Sequence, residues 1–229
     1  MKLIYTKRII KRKNKNYTVI IPERAGRIVN NRKEMIDADR KGLNAILMSA
    51  LIMMESPDAI VYFPLKKPLA EIYYYPDYDY FYEEDKKTQA DMVFLHRAGQ
   101  LPISAWKEIR QSLKYTRGVK EVMKVDVDAA YEAGCAARDK YEKTDRYYKE
   151  MDLFSFAIEY DTMFFSGGWY AFMDLFIVLK KMHDLPLENR LKDNFLNDYI
   201  YFYYDHKNPK IEWPELGFYD RNVLSFCER

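Results

Sequence analysis

The sequence predicts a mainly α (α+β) protein: a compact, single helical domain over residues 31–229, with a basic β-hairpin arm over residues 1–30. Three observations lead there. Runs rich in Ile, Tyr, Val and Thr at 2–10 and 16–21 flank a polar stretch at 11–15, as in a hairpin. Apolar residues recur at helical spacing through much of the remainder. With 229 residues, a chain of this size buries about 70% of its surface, enough for a core without disulfide or metal staples.

After the hairpin, Asn31 followed by Glu34 resembles a capping box. The spacing Ile36, Leu43, Ile46, Ala50, Met54 then marks an amphipathic helix that Ser56-Pro57 stops. Ala59–Phe63 and Leu69–Tyr75 are short apolar runs between prolines and read as strands. A helix near 86–98 ends at Gly99, and another over 103–117 aligns Ile103, Trp106, Ile109 and Leu113 on one face. Val119–Val127 alternates, and periodicity leaves it between strand and helix. Asp128 serves as N-cap for the Ala-rich stretch 129–143. Aromatic helices follow at 150–166 and 169–183, broken at Gly167-Gly168, with a last one at 187–204 and an irregular tail.

Charge is divided unevenly. Residues 1–33 carry eleven basic side chains against the single acid Glu23, a net +10. The remaining 196 residues carry 26 basic and 34 acidic groups, a net −8, so the whole chain is nearly neutral at +2. Such an asymmetry points to a segment that seeks an anionic partner. The candidate partner-binding residues are Lys7, Arg8, Lys11, Arg12, Lys13 and Lys15. Three partners fit them: nucleic-acid phosphates, the acidic remainder of another protein or copy, and the chain's own body. Residues 7–15 hold no aromatic for base stacking, which speaks against a module that reads single strands.

Tyrosine is the second anomaly, with 21 residues. Segment 71–85 holds seven aromatics, six acids and no base. Tyrosine offers large rigid area with a polar tip and is enriched at interfaces. Tyr73, Tyr74, Tyr75, Asp77, Tyr78, Asp79, Tyr80 and Tyr82 are therefore the candidate interface residues. A second aromatic patch, Tyr199–Tyr204, reads as core.

No motif specifies catalysis. His96, His183 and His206 have no second His or Cys at ligand spacing, and no glycine-rich phosphate loop is present. Pro57-Asp58 with Glu84-Asp85-Lys86 gives the outline of a Mg²⁺-dependent PD-(D/E)xK-like nuclease, though Glu84 lies among charges rather than at the end of an apolar strand. Cys135 and Cys227 form no disulfide framework, which fits a reducing compartment. The longest uncharged run in the apolar region, Thr162–Met173, has twelve residues where a membrane span needs about 20. The N-terminus lacks a signal-peptide core. The expectation is a cytoplasmic, non-enzymatic interaction protein with no cofactor, no metal and no membrane partner. It assembles with itself or another protein through its basic arm and acidic-aromatic surfaces, as a virion-type structural component or an inhibitor or adaptor does. Sequence-independent nucleic-acid binding by the arm is the alternative, and the nuclease is third.

Overall fold

The computed structural model describes residues 1–23, 25–26, 28–30, 35–65, 89–99, 101–143, 154–184, 197–201 and 215–220. Strands β1 (Lys2–Arg12) and β2 (Lys15–Pro22) form the expected hairpin, and Arg12 pairs with Lys15 across a two-residue turn. Lys13 turns the corner with a φ of 52°, in the left-handed region. The short strands β3 (Ile28–Asn30) and β4 (Met35–Ala38) precede α1 (Arg40–Glu55). The capping box at 31–34 lies outside the described residues. The N-cap of α1 is Asp39, whose Oδ1 accepts from the Gly42 amide at 2.7 Å. At the other end the Ser56 amide donates to the Ile52 carbonyl, and Pro57 follows.

Beyond α1 the mainly helical expectation is overturned. β5 (Ala59–Phe63), β6 (Asp91–His96), β7 (Val119–Lys124), β8 (Ser155–Glu159) and β9 (Thr162–Gly167) join β1 and β2 in one mixed sheet. Its order is β7-β1-β2-β5-β6-β9-β8, seven strands among the described residues. A second sheet takes β3, β4, β10 (Asn197–Tyr201) and β11 (Glu215–Asp220) in the order β10-β11-β4-β3. The helices are α1, α2 (Ile103–Leu113), α3 (Val127–Glu142) and α4 (Trp169–Asp184).

The spans expected as helices at 86–98, 150–166 and 187–204 instead hold β6, β8, β9 and β10 among their described residues, with a short 3-10 turn at Arg97–Gly99. β5 is buried at every residue, and β6 and β9 at all but one each. A strand covered on both faces needs no polar alternation, so its apolar run looks like a piece of buried helix. The β8–β9 turn conceals itself as well. Tyr160 and Asp161 both have positive φ, 52° and 56°, the geometry of a tight hairpin usually signalled by Asn-Gly. Gly167 ends β9 at a point of close packing: a Cβ there would stand 2.7 Å from that of Ala171 and 2.9 Å from the Phe154 ring. The N-cap of α3 is Asp126, not Asp128, accepting from the Asp128 and Ala129 amides at 3.2 Å each.

The large sheet separates two cores. On one face α1 and α4 pack with Val61, Phe63, Met92, Phe94, Met163 and Phe165. Ile28, Ile36 and Ala38 bring the second sheet into this same cluster. On the other face α2 lays Trp106, Ile109 and Leu113 over Ile10, Tyr17, Val19, Ile60, Tyr62, Val93, Leu95 and Phe164. Trp106 meets Tyr62 edge to face with ring centroids 5.0 Å apart, and its Nε1–H donates to Thr162 Oγ1 at 3.2 Å. β1 and β2 lie within this sheet, paired outward to β7 and β5.

Candidate functional site

The alternation of β1 divides the basic candidates between the two faces of the sheet. Arg8 and Arg12 point toward α2. The Arg12 guanidinium donates to both carboxylate oxygens of Glu108, at 2.6 and 3.1 Å. That pairing raises Arg12 above its ordinary value and holds Glu108 below its own, with Lys13 adding to the field on Glu108. Arg8 Nη1 donates to the Leu113 carbonyl at the end of α2. Lys15 donates to the Gly99 carbonyl at 2.8 Å and stands over the Tyr17 ring, 5.4 Å from its centroid.

On the opposite face Lys7 reaches Glu121 at 3.5 Å, and Tyr5 donates its hydroxyl to the same carboxylate at 2.9 Å. Burial first, then the Glu121 bond, lifts the Tyr5 hydroxyl above its ordinary value. Lys11 and Lys13 are exposed and make no ion pair with a described residue. Four of the six candidates thus contact the chain's own body, and two project into solvent.

Beside Lys7 the sheet is open. An open groove of about 700 Å³ has its floor on Tyr5, Lys7, Thr18 and Ile20. Ile52 and Glu55 of α1 and the turn Ser56–Ala59 form one wall, and Met123, Lys124 and Val125 line the other side. Its charges are mixed: Lys7 and Lys124 against Glu55 and Asp58. Exposed apolar side chains flank it, Val119 at 64% and Ile9 at 56% on the side of Lys7, with Val122 at 49% on the opposite face of the sheet. Ile9 and Val119 share the groove's face of the sheet with Lys7 and Lys11. Gly118, just before β7, leaves room for Thr6, whose Cγ2 would lie 2.2 Å from an added Cβ.

Tyr73, Tyr74, Tyr75, Asp77, Tyr78, Asp79, Tyr80 and Tyr82 lie outside the described residues, as do Glu84, Asp85 and Lys86. The nuclease outline is thus represented by Asp58 alone, in the turn before β5. Its charge raises the nearby His96, though burial outweighs it and holds the imidazole below its ordinary value. Among the described residues no group of three or more His, Cys, Asp or Glu side chains could hold a metal ion.

Two polar networks have no signal in the sequence. Asp91, 2% exposed, accepts from the Tyr62 hydroxyl at 2.8 Å and the Leu65 amide at 2.9 Å, with Arg110 at 3.5 Å. Burial, then the Asp91 charge, pushes the Tyr62 hydroxyl far up, so it stays a donor. Arg110 also donates to the Tyr160 carbonyl and Thr162 Oγ1, which ties α2 to the β8–β9 turn. In the second network Lys180 of α4 bonds Asp128 at 2.6 Å, and also Asp184. In both networks each charge has a partner of opposite sign, and both anchor elements to one another. Exposed Ile9, Val119 and Lys11 have no such partner among the described residues, and with Lys7 and the groove they form the candidate site. Comparison with known protein families, curated proteins and solved structures found no match.

Proposed function

We propose that this is a non-enzymatic interaction protein that assembles with further copies of itself through the face formed by β7, β1 and β2. The observation that carries the reading is the cluster on that face: exposed Ile9 and Val119 beside Lys7 and Lys11, at the mouth of an open groove. Interfaces combine an apolar centre with a polar, charged rim, and this surface has both. The partner surface is acidic, and residues 34–229 carry the excess acid, net −8. The acidic-aromatic stretch with Tyr73–Tyr75, Asp77–Tyr80 and Tyr82 is its densest concentration.

Nucleic-acid binding fits this face less well. Non-specific phosphate binding draws on many free cations at once. Here Arg8, Arg12, Lys15 and Lys7 are engaged with Leu113, Glu108, Gly99 and Glu121, and the exposed apolar residues would have no role. Among the described residues no helix is long and apolar enough to cross a membrane.

The test compares the wild type with a Lys11→Glu/Lys13→Glu variant by sedimentation velocity. Both side chains are exposed, so the variant should keep the wild-type far-UV spectrum and melting temperature. Its assembly should be weaker by on the order of tenfold, from two reversed exposed charges. A wild type that stays monomeric, or a variant that assembles equally well, contradicts the proposal.

A further inference from the structure

The outer edge of β7, at the border of that face, specifies the kind of segment that another chain adds to the sheet. We propose that β7 receives, by strand addition, an extended peptide segment of another chain with an acid-X-aromatic-X-acid pattern. The inference rests on the assembly reading and deepens it.

β7 ends the order of the large sheet and, among the described residues, pairs with β1 alone. An edge strand presents unpaired N–H and C=O groups to any strand that fits beside it. The side chains of β7 determine which strands fit. Lys120, Val122 and Lys124 lie on the α2 side of the sheet, and Val119, Glu121 and Met123 on the groove side with Lys7 and Tyr5. Lys120 is 66% exposed even while paired with Glu23 at 2.7 Å, and Val119 and Val122 are about as open.

This pattern resists pairing of β7 with a second β7. An antiparallel pair centred on Val122 sets Lys120 against Lys124 twice, and one centred on Glu121 sets the two carboxylates face to face. Like charges directly opposite one another are destabilising. An incoming strand with acids four residues apart and an aromatic midway meets the opposite situation. Its acids fall opposite Lys120 and Lys124, and its aromatic covers Val122. Its intervening side chains lie against Glu121 and Met123. The arrangement is symmetric, so either strand direction satisfies it. Backbone bonds supply the affinity and the alternating pockets the selection, as in other cases of strand addition. The sequence Asp79-Tyr80-Phe81-Tyr82-Glu83 of this chain has the required pattern.

The test uses the full-length protein and a labelled synthetic peptide with the sequence of residues 77–85, followed by fluorescence anisotropy. Only alternate amides of an added strand face its neighbour, so two further peptides carry N-methyl groups on one alternate set of residues 79–83 or on the other. One N-methylated peptide should bind on the order of tenfold or more weakly and the other within about twofold of the parent. Lys120→Glu/Lys124→Glu protein should lose the parent peptide and bind one with Asp79→Lys and Glu83→Lys. Equal binding of both N-methylated peptides overturns strand addition while leaving charge-driven assembly intact. Failure of the parent peptide to bind a wild type that still self-assembles also overturns it, again without touching the broader reading.

Discussion

Lys180 shows how this fold handles a buried charge. The residue is 3% exposed, with its ammonium held by Asp128 and Asp184 and 5.6 Å from the Tyr131 ring centroid. Burial pulls Lys180 down, but the bonds to Asp128 and Asp184 more than offset it and leave it above its ordinary 10.5. Burial likewise pushes Asp184 up, and Lys180 and His183 bring it to a net value below its ordinary 3.8. The raised lysine contributes stability that is complete below 10.5 and lost as pH rises through its folded value. The lowered carboxylate contributes stability present above 3.8 and lost as pH falls through its folded value. Asp128 and Asp184 are themselves 79% and 51% exposed, so water can serve them if the lysine is removed. Lys180→Met should therefore cost little, whereas Asp128→Ala/Asp184→Ala strands the ammonium and should cost at least about 2 kcal/mol in urea unfolding. Comparable losses in the two variants would contradict this ordering.

Burial lowers His96 from its ordinary value, against the opposing charge of Asp58. Its ring stacks on Phe172 with centroids 6.2 Å apart, and Nδ1 accepts from the Ala98 amide at 3.1 Å, both compatible with a neutral imidazole. With its folded value below the ordinary 6.5, the unfolded chain takes up the proton first, so stability falls as pH drops through 6.5. His96→Gln should flatten that part of the stability profile, and an unchanged slope in urea titrations would exclude His96 as its source. At this scale the sequence reading placed the α3 cap two residues late and missed Asp39, the cap of α1. The partners of Lys180 and Asp91 are distant in the chain and invisible to local reading.

At the scale of elements, the hairpin is part of the structural frame. β1 has strands on both sides, and it buries Leu3 in one core and Ile10 in the other. Removal of residues 1–16 would strip β7 of its partner and expose both cores. The truncated chain should lose the cooperative thermal transition, and a truncation that melts like the wild type would show that the sheet does not depend on β1. The hairpin itself was legible, because its alternation and polar tip are local. Its position was not, since Tyr5 pairs with Glu121 across more than a hundred residues and no local pattern encodes that partner. The bodies of α1, α2, α3 and α4 were legible from their apolar stripes, but the start of α1 was not: Ile36, counted in its stripe, belongs to β4, and the helix begins at Arg40. β6 and β9 were hidden because burial on both faces erases alternation, and the β8–β9 turn lacks the glycine that usually marks one.

At the scale of the whole molecule, the division of charge is the feature that the sequence displayed most openly, and the fold shows where part of it goes. Arg8, Arg12, Lys7 and Lys15 bind the hairpin to α2, β7 and Gly99, which engages four of the eleven basic side chains of residues 1–33 within one chain, Lys7 and Arg12 with carboxylates and Arg8 and Lys15 with carbonyls. Lys11 and Lys13 are exposed at the end of the hairpin, and Lys11 shares its face of the sheet with exposed Ile9 and Val119. The exposed apolar residues could not be read from sequence, because a valine in β7 looks the same whether a helix covers it or not. The measurement that bears most directly on assembly is the light-scattering mass after size exclusion at about 0.15 M and about 0.5 M salt, a range over which the Debye length falls to about half. The absorbance ratio that reports nucleic acid is recorded on the same peak. The expected result is a multimer free of nucleic acid that dissociates at the higher salt. A monomer that carries nucleic acid at low salt and releases it at high salt would contradict assembly and assign the basic face to phosphate binding instead.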